Sequence, residues 1–304
     1  MHDGQLSGAE FHGGFDLQAT LESGQTYLWE RADGEMFTDG GATGGTHWYH
    51  TVLPSTETHT AHTEWLSCRW DGSTLEWRAT TDHAPEHLRR LLRLDDDLRA
   101  IGRMAPSDGV VERAFERFAG MRLVRDPSFG SLVSFICSAQ MRVERIHAMV
   151  SRLATTYGDS ITVDGESHHA FPRPAQLAEA SEAELRELSI GYRAPYVKAT
   201  AEMVADGTAH PDEARTMGYE SARSHLCQFM GVGNKVADCV LLFALGFLQA
   251  VPLDTWIQTA IADHYPACER DDYEETSAAI RAQFGGEYAG YVQTYVFNHL
   301  RTAA

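Results

Sequence analysis

Near residue 81 the spacing of apolar side chains changes period. Before it the chain reads as strand, and from "APEHLRRLLRLDDDLRAIG" onward it reads as helix. This switch constrains the fold most, because the period of an element's apolar positions decides which surfaces it can pack against. "FDLQATL" (Phe15–Leu21) alternates apolar and polar residues, as a half-buried strand does. "TYLWERADGEMFT" breaks at Asp33-Gly34, and "WLSCRWDGSTLEWRAT" (Trp65–Thr80) breaks at Asp71-Gly72. Both are hairpin signals, since Asp-Gly accepts the positive φ of a tight turn. Three to five antiparallel strands are expected. The stretch 39–47, "DGGATGGTH", reads as a flexible loop by composition.

In the helical part, Leu132, Phe135, Ile136, Ala139, Val143, Ile146, Val150 and Leu153 fall at three- and four-residue steps. They form one apolar stripe over Leu132–Tyr157, with Arg142, Arg145 and Arg152 off it. "LAEASEAELRELSI", "APYVKATAEMVADG", "YESARSHLCQFMG", "NKVADCVLLFALGF", "DTWIQTAIADHY" and "YAGYVQTYVFNHL" continue as short helices. No internal repeat stands out. The predicted fold class is α+β: a small antiparallel β domain over 1–84, then a mainly α-helical bundle over 85–304. A helix–hairpin–helix is expected at about 221–246. With 304 residues and 43% hydrophobic content, the chain can bury a sizeable core in one large domain or two ordinary ones.

The formal net charge is −18, from 43 Asp+Glu against 25 Lys+Arg. Two of those 25 are lysines, Lys198 and Lys235, which leaves 23 arginines. Excess carboxylate with almost no lysine fits a halophilic protein kept soluble in very high salt, and fits an ordinary acidic cytosolic protein too. Charge alone argues against nucleic acid, whose usual footprint is a basic patch. The five cysteines (Cys68, Cys137, Cys227, Cys239, Cys268) form no Cys-x-x-Cys pair, which argues against a zinc or iron–sulfur site and for reduced thiols in the cytoplasm. The first residues lack the basic and apolar regions of an export signal, and the longest apolar stretch, Val240–Leu248, is far short of a membrane span.

Phe229–Ile257 reads "FMGVGNKVADCVLLFALGFLQAVPLDTWI": helix, glycine turn, helix. Two glycines around one apolar residue, Gly231-Val232-Gly233, permit a hairpin too tight for side chains. They leave backbone N–H groups pointing outward at the next helix's start. Such an end binds phosphate without a cationic side chain, which removes the objection from net charge. Six to ten contacts made by Lys and Arg would lose about 10³–10⁵ in affinity between roughly 50 and 200 mM salt. Gly-x-Gly by itself is equally a plain helix–helix turn.

Lys235 sits in the first turn of the second helix, where the macrodipole disfavours a cation. A surface lysine would sit better at the other end, and this chain uses Arg for surface charge. What Lys offers and Arg does not is a deprotonatable amine, a nucleophile able to form a Schiff base. Nineteen residues on, Asp254 opens another helix and reads as its N-cap. A capping carboxylate stays ionised, so it also stabilises nearby cationic charge.

The combination "GVGNKVADC…VPLDT" resembles the helix–hairpin–helix DNA glycosylases, in particular the 8-oxoguanine DNA glycosylase branch. The likeness takes in "ESGQTYLW" (22–29), "LVRDPSFGSLVSFICS" (123–138), "LSIGYRAPYV" (188–197), the hairpin and "YAGYVQTYVF" (288–297). The resemblance implies a bifunctional glycosylase and AP lyase acting on duplex DNA that contains 8-oxoguanine, as a monomer away from membranes. No cofactor or catalytic metal is implied beyond a monovalent cation at the hairpin. Lys235 would attack C1′ of a flipped-out nucleotide, and the resulting imine would permit β-elimination. Asp254 would stabilise the oxocarbenium-like charge and help deprotonate the amine. Gly24 would offer its carbonyl to the N7–H that 8-oxoguanine has and guanine lacks.

Gln293 and Phe297, four apart on one helix face, would bond the Watson–Crick edge and stack on the base. Cys239, one turn after Lys235, would close the pocket from the other side. Arg145 and Arg193 match the pair that reads the orphaned cytosine, and Tyr192 matches the wedging aromatic. Gly231, Gly233 and Val236 would present hairpin backbone to phosphate. Two positions depart from the family pattern. Ala139-Gln140-Met141-Arg142 replaces an Asn-rich run, with Gln140 placed to fill the gap left by the flipped base. Trp256 stands where the family has His, so a phosphate contact or proton relay there is lost or replaced. A monofunctional alkylpurine glycosylase would activate water with the aspartate and lack the hairpin lysine. A non-catalytic helix–hairpin–helix module would need the glycines but neither Lys235 nor Asp254.

Overall fold

The computed structural model describes residues 1–38, 40–58 and 60–303. Five strands form one antiparallel sheet in the order β1-β5-β4-β3-β2: β1 (His2–Ser7), β2 (Glu30–Arg31), β3 (Tyr49–Leu53), β4 (Glu64–Trp70) and β5 (Thr74–Ala79). The Asp71-Gly72 turn forms the expected hairpin. Asp71 Oδ1 takes the backbone N–H of Ser73 and Thr74, and β4 pairs with β5 from Leu66↔Ala79 to Trp70↔Leu75.

Two strand readings are corrected. The alternating Phe15–Leu21 belongs to a helix, α1 (Leu17–Glu22). Asp16 caps it by accepting from Ala19 N at 2.9 Å. The residues that mimic the wet face of a strand are buried and bonded. Gln18 Oε1 accepts from Gly45 N, Thr20 Oγ1 donates to Asp16 O, and Glu22 pairs with Arg31 at 3.1 Å. The second correction concerns Asp33-Gly34. Gly34 N does bond Arg31 O, but β2 pairs with β3, at Glu30↔His50 and Arg31↔Tyr49, and not with the residues just after the turn. Glu22 diverts that segment, because its carboxylate also accepts the N–H of Phe37, which has φ 68°. Of the 39–47 stretch, residue 39 lies outside the described residues. Gly44 and Gly45 are anchored to the Asp16 and Gln18 side chains of the α1 entry.

The helical part follows from Ala84: α2 (Ala84–Leu91), α3 (Leu98–Met104), α4 (Gly109–Arg117), α5 (Ser128–Cys137) and α6 (Val143–Tyr157). The single stripe over Leu132–Tyr157 is therefore two helices. They are separated by a turn in which Gln140 takes φ 55°, a left-handed conformation an α-helix cannot contain. Both helices face the same core, so the apolar spacing continues through the break. A two-stranded ribbon that the periodicity did not signal, β6 (Ser160–Val163) with β7 (Glu166–His169), comes next. After it come α7 (Pro174–Ala178), α8 (Glu182–Glu187), α9 (Ala194–Ala205), α10 (Tyr219–Leu226), α11 (Asn234–Val240), α12 (Thr255–His264), α13 (Tyr273–Gln283) and α14 (Ala289–Ala303). A π-helical turn, Leu241–Leu245, extends α11 and ends at Gly246 in the left-handed region (φ 85°). No helix among the described residues is long and apolar enough to cross a membrane.

Arg122 and Gln25 fix the sheet region to the helices. The Arg122 guanidinium, wholly buried, donates to the carbonyls of Arg93, Asp96, His12 and Gly14 at 2.8–3.2 Å. Removing it would strand the buried Arg93 carbonyl, at about 1–3 kcal/mol, and loosen three part-buried ones. Gln25 donates to Thr20 O and Arg122 O and accepts from Val124 N, which locks the Ser23-Gly24 turn against the 122–124 segment. On the other side α14 packs along α4, with Phe115 and Tyr295 stacked 4.1 Å apart, a pairing worth about 0.5–1.5 kcal/mol beyond area burial. These contacts bring residue 24 and α14 to one cavity.

Candidate active site

α10 and α11 meet in a turn whose glycines have distinct jobs. Gly231 has φ 81°, and a Cβ there would lie 2.6–2.9 Å from the Tyr196 side chain, so both conformation and space require glycine. Gly233 is the N-cap of α11, is exposed, and makes no side-chain capping bond. The first N–H groups of α11 therefore begin at an open backbone edge. Val236 is buried, so only its main chain can serve that edge.

Lys235, in the first turn of α11, turns inward. Its Nζ donates to Ser138 Oγ at 3.1 Å and lies 5.6 Å from the Phe135 ring centre. Ser138 Oγ in turn donates to Phe135 O at 2.7 Å. Bonded to Ser138 and beside an aromatic wall and the Cys239 thiol, the amine faces a cavity of about 560 Å³. That volume is within the range of ligand pockets. Gly24, Cys239, Asp254, Gln293 and Phe297 also line it.

Asp254 caps α12, accepting from Ile257 N at 2.8 Å, and half-buried it faces the same space. Lys235 and Asp254 line the same cavity, and no ion pair joins them among the described residues. Cys239 is buried, and burial pushes its thiol up to about 12 against the pull of Lys235, so it is a neutral thiol at neutral pH. Gln293 is 5% exposed, and its Oε1 has no hydrogen-bond partner among the described residues. A buried acceptor without a partner in a cavity wall suits a ligand's N–H donor. Phe297 lies one turn further on, half-buried, as a flat apolar surface. The Gly24 backbone, at φ 91°, forms the opposite wall with Tyr27, whose buried phenol has a raised pKa.

The residues expected at the opposite base, Gln140, Arg145, Tyr192 and Arg193, are not in the cavity lining, which includes Met141 and Arg142 of the neighbouring turn. Gln140 and Arg145 are exposed, and Tyr192 is 56% exposed. Arg193 departs from the expectation of a free reading head. It is 3% exposed, donates to Ala139 O and stacks under the Tyr192 ring at 4.3 Å. In this state it ties the 191–193 turn to the 139–142 turn, so reading a base would require it to release that carbonyl. Tyr192 also meets Tyr196 edge-on at 6.4 Å, and Tyr196 fills the space that Gly231 leaves, so Tyr192 and the hairpin are connected through Tyr196. Trp256, 46% exposed, stands on the rim beside Asp254.

The sequence reading did not find Phe135, Ser138, Phe243 and Arg301, all in the cavity wall. Arg301 was within reach, since it follows Phe297 by four residues on the same face. Asp238 was also missed. Wholly buried, it accepts from the Tyr219 and Tyr273 hydroxyls at 2.7 and 2.8 Å and holds α11 to α10 and α13. Burial pushes its carboxyl up to about 6.

Comparison with known proteins places the chain in a family. Residues 133–284 match the family described as HhH-GPD superfamily base excision DNA repair protein. Residues 10–132 match the 8-oxoguanine DNA glycosylase N-terminal domain. The chain is 36% identical over 218 residues to the N-glycosylase/DNA lyase of Saccharomyces cerevisiae, covering 66% of this chain and 57% of that protein. It is 34% identical over 205 residues to the probable N-glycosylase/DNA lyase of Methanothermobacter thermautotrophicus, covering 60% and 64%. The matched region thus spans less than two thirds of each relative's length. A solved structure of MBOgg1 in complex with a low affinity DNA ligand superposes with a TM-score of 0.83 at 26% identity, covering 98% of this chain and 95% of that one.

Proposed function

The chain belongs to the HhH-GPD superfamily of base excision DNA repair proteins, with an N-terminal region of the 8-oxoguanine DNA glycosylase type, and from that premise we propose that it is a bifunctional DNA glycosylase and AP lyase for 8-oxoguanine. The observation that carries this reading is the inward-facing Lys235 amine across an open cavity from the Asp254 carboxylate. A nucleotide flipped out of the duplex would put its sugar between the two and its base against Phe297, Gln293 and Gly24. The neutral amine forms a bond to C1′ as the C1′–N9 bond breaks, and the base leaves with a proton. Loss of the amine proton and ring opening give the imine. Abstraction of a C2′ proton then expels the 3′ phosphate by β-elimination.

Asp254 is suited to the developing positive charge because its carboxylate is fixed at the α12 N-terminus. Gly24 O would accept the N7–H of 8-oxoguanine. Guanine would leave that acceptor unmatched, at about 1–3 kcal/mol. The hairpin N–H groups and the rim residues Gln140, Tyr192 and Arg193 would hold phosphate and the opposite strand. The reading includes a high-salt working medium, supported by the −18 charge and tested by a melting temperature that rises with KCl.

The test is base release and strand nicking on an 8-oxoguanine·cytosine duplex, wild type beside Lys235→Gln. Release with nicking in the wild type alone supports the proposal. Release without any nick favours a monofunctional enzyme, and binding without release favours a non-catalytic module.

A further inference from the structure

Arg301 stands in the cavity wall at the last turn of α14, yet the chemistry above does not use it. Its guanidinium lies over the Phe297 ring, 5.3 Å from the centre. Nη1 is 3.5 Å from where a Cβ would project from Gly24, and Nη2 donates to Asn298 Oδ1 at 3.1 Å. Among the described residues it joins no carboxylate in an ion pair. The charged groups near enough to act on it are Glu144 and Asp254, with the Tyr27 phenol beside it. Burial draws its pKa down, but a guanidinium stays charged throughout the working pH range. A cation in the last turn satisfies the helix dipole just as well from open water. That leaves unexplained why this one is folded onto the stacking platform beside the Gly24 turn.

We propose that Arg301 is a charge filter for the base pocket, favouring a neutral purine edge rich in carbonyl oxygens and rejecting a base that carries positive charge. This rests on the reading of the cavity as a base pocket. In 8-oxoguanine the N7–H is flanked by O6 and O8, so the edge that meets the Gly24 carbonyl has an acceptor on each side of the donor. A guanidinium next to that turn complements those acceptors. A purine alkylated at N7 carries a formal positive charge while attached to its sugar, has no O8, and has lost the N7–H. Two like charges about 5 Å apart near a protein surface cost on the order of 10²-fold in affinity. Arg301 therefore separates oxidised from alkylated purines by charge, in addition to the single hydrogen bond at Gly24.

The test uses three duplex probes with a 2′-fluoro sugar at the test position, so that none is turned over: 8-oxoguanine, 7-methylguanine and guanine, each opposite cytosine. Dissociation constants are measured for wild type, Arg301→Leu and Arg301→Lys over a salt series. Arg301→Leu is expected to shift the 8-oxoguanine to 7-methylguanine affinity ratio at least tenfold toward 7-methylguanine, while Arg301→Lys keeps the wild-type ratio. Arg301→Met replaces the leucine variant if that one does not fold. An unmoved ratio overturns the filter. So does a uniform loss on all three probes with a shallower salt dependence, which would mark a phosphate contact. Equal wild-type affinity for the 8-oxoguanine and guanine probes would instead overturn the base-pocket assignment on which the filter rests.

Discussion

The floor of the cavity and its rim are built by opposite means. Most floor residues sit inside helices and are held from behind, with Asp254 fixed as the N-cap of α12. Lys235 and Cys239 are on α11, Gln293 is on α14, and Asp238 bonds two tyrosines from α10 and α13. Rim residues sit on turns and helix entrances, and apart from the buried Arg193 they face solvent, as Gln140 does at φ 55° and Tyr192 at 56% exposure. The floor can therefore fix a reacting atom to within a fraction of an ångström. The rim can shift to suit a bent duplex at little cost to the fold. The proposed chemistry falls to the first and the proposed discrimination of the surroundings to the second.

Substitutions that fail to separate along this line would break the comparison. The largest effect is expected at Lys235. Lys235→Gln should lower base release by about 10³-fold or more, through loss of the nucleophile, with a melting temperature close to wild type because one hydrogen bond to Ser138 is at stake. Next is Asp254→Asn. Asn still caps a helix, so stability should fall by less than about 1 kcal/mol while turnover drops about 10²-fold. Turnover unchanged from wild type would reduce Asp254 to a cap.

A third effect tests the support behind the floor. Asp126 is 2% exposed, its N–H bonds Phe243 O, and its Oδ1 has no partner. It lines a separate cavity of about 140 Å³ that shares Tyr27 with the larger one. Burial pushes its carboxyl up to about 7, so the native state holds this proton more tightly than the unfolded chain does. Its contribution to stability is full at pH below the ordinary aspartate range and is lost as pH rises through about 7. Asp126→Asn, which cannot ionise, should gain on the wild type by on the order of 4 kcal/mol between pH 4 and pH 8 in paired urea melts. A gap that stays constant with pH would contradict the burial argument. The smallest effect is expected on the rim. Tyr192→Ala should weaken binding of lesion duplex about tenfold, the value of one stacked base, and leave the melting temperature in place.

Of the floor, Lys235 and Asp254 were legible because their constraints are local and chemical, whereas Gly24, Cys239, Gln293 and Phe297 followed from the resemblance alone. A lysine one residue inside a helix after Gly-Val-Gly, in a chain with one other lysine, is conspicuous whatever the tertiary structure. The Asp71-Gly72 hairpin was legible for the same reason. What misled was burial. α1 looks like a strand because its polar side chains alternate, and only the fold reveals that Gln18, Thr20 and Glu22 are buried with partners. The α5–α6 break at Gln140 was hidden because the apolar spacing runs through it. Arg193 looked free because the Ala139 carbonyl that holds it is 54 residues away in sequence. Arg301 escaped because a basic residue near the end of a helix is common, and its contact with Gly24 is long-range.

Reductive trapping with peptide mapping tests the central claim most directly. Borohydride is added to the protein on an 8-oxoguanine·cytosine duplex in high salt, and the cross-linked peptide is sequenced by mass spectrometry. The account predicts a covalent adduct on the peptide containing Gly233-Asn234-Lys235, at the lysine, and none with Lys235→Gln. An adduct at Lys198 or the N-terminal amine, or base release by the wild type with no adduct, would contradict it.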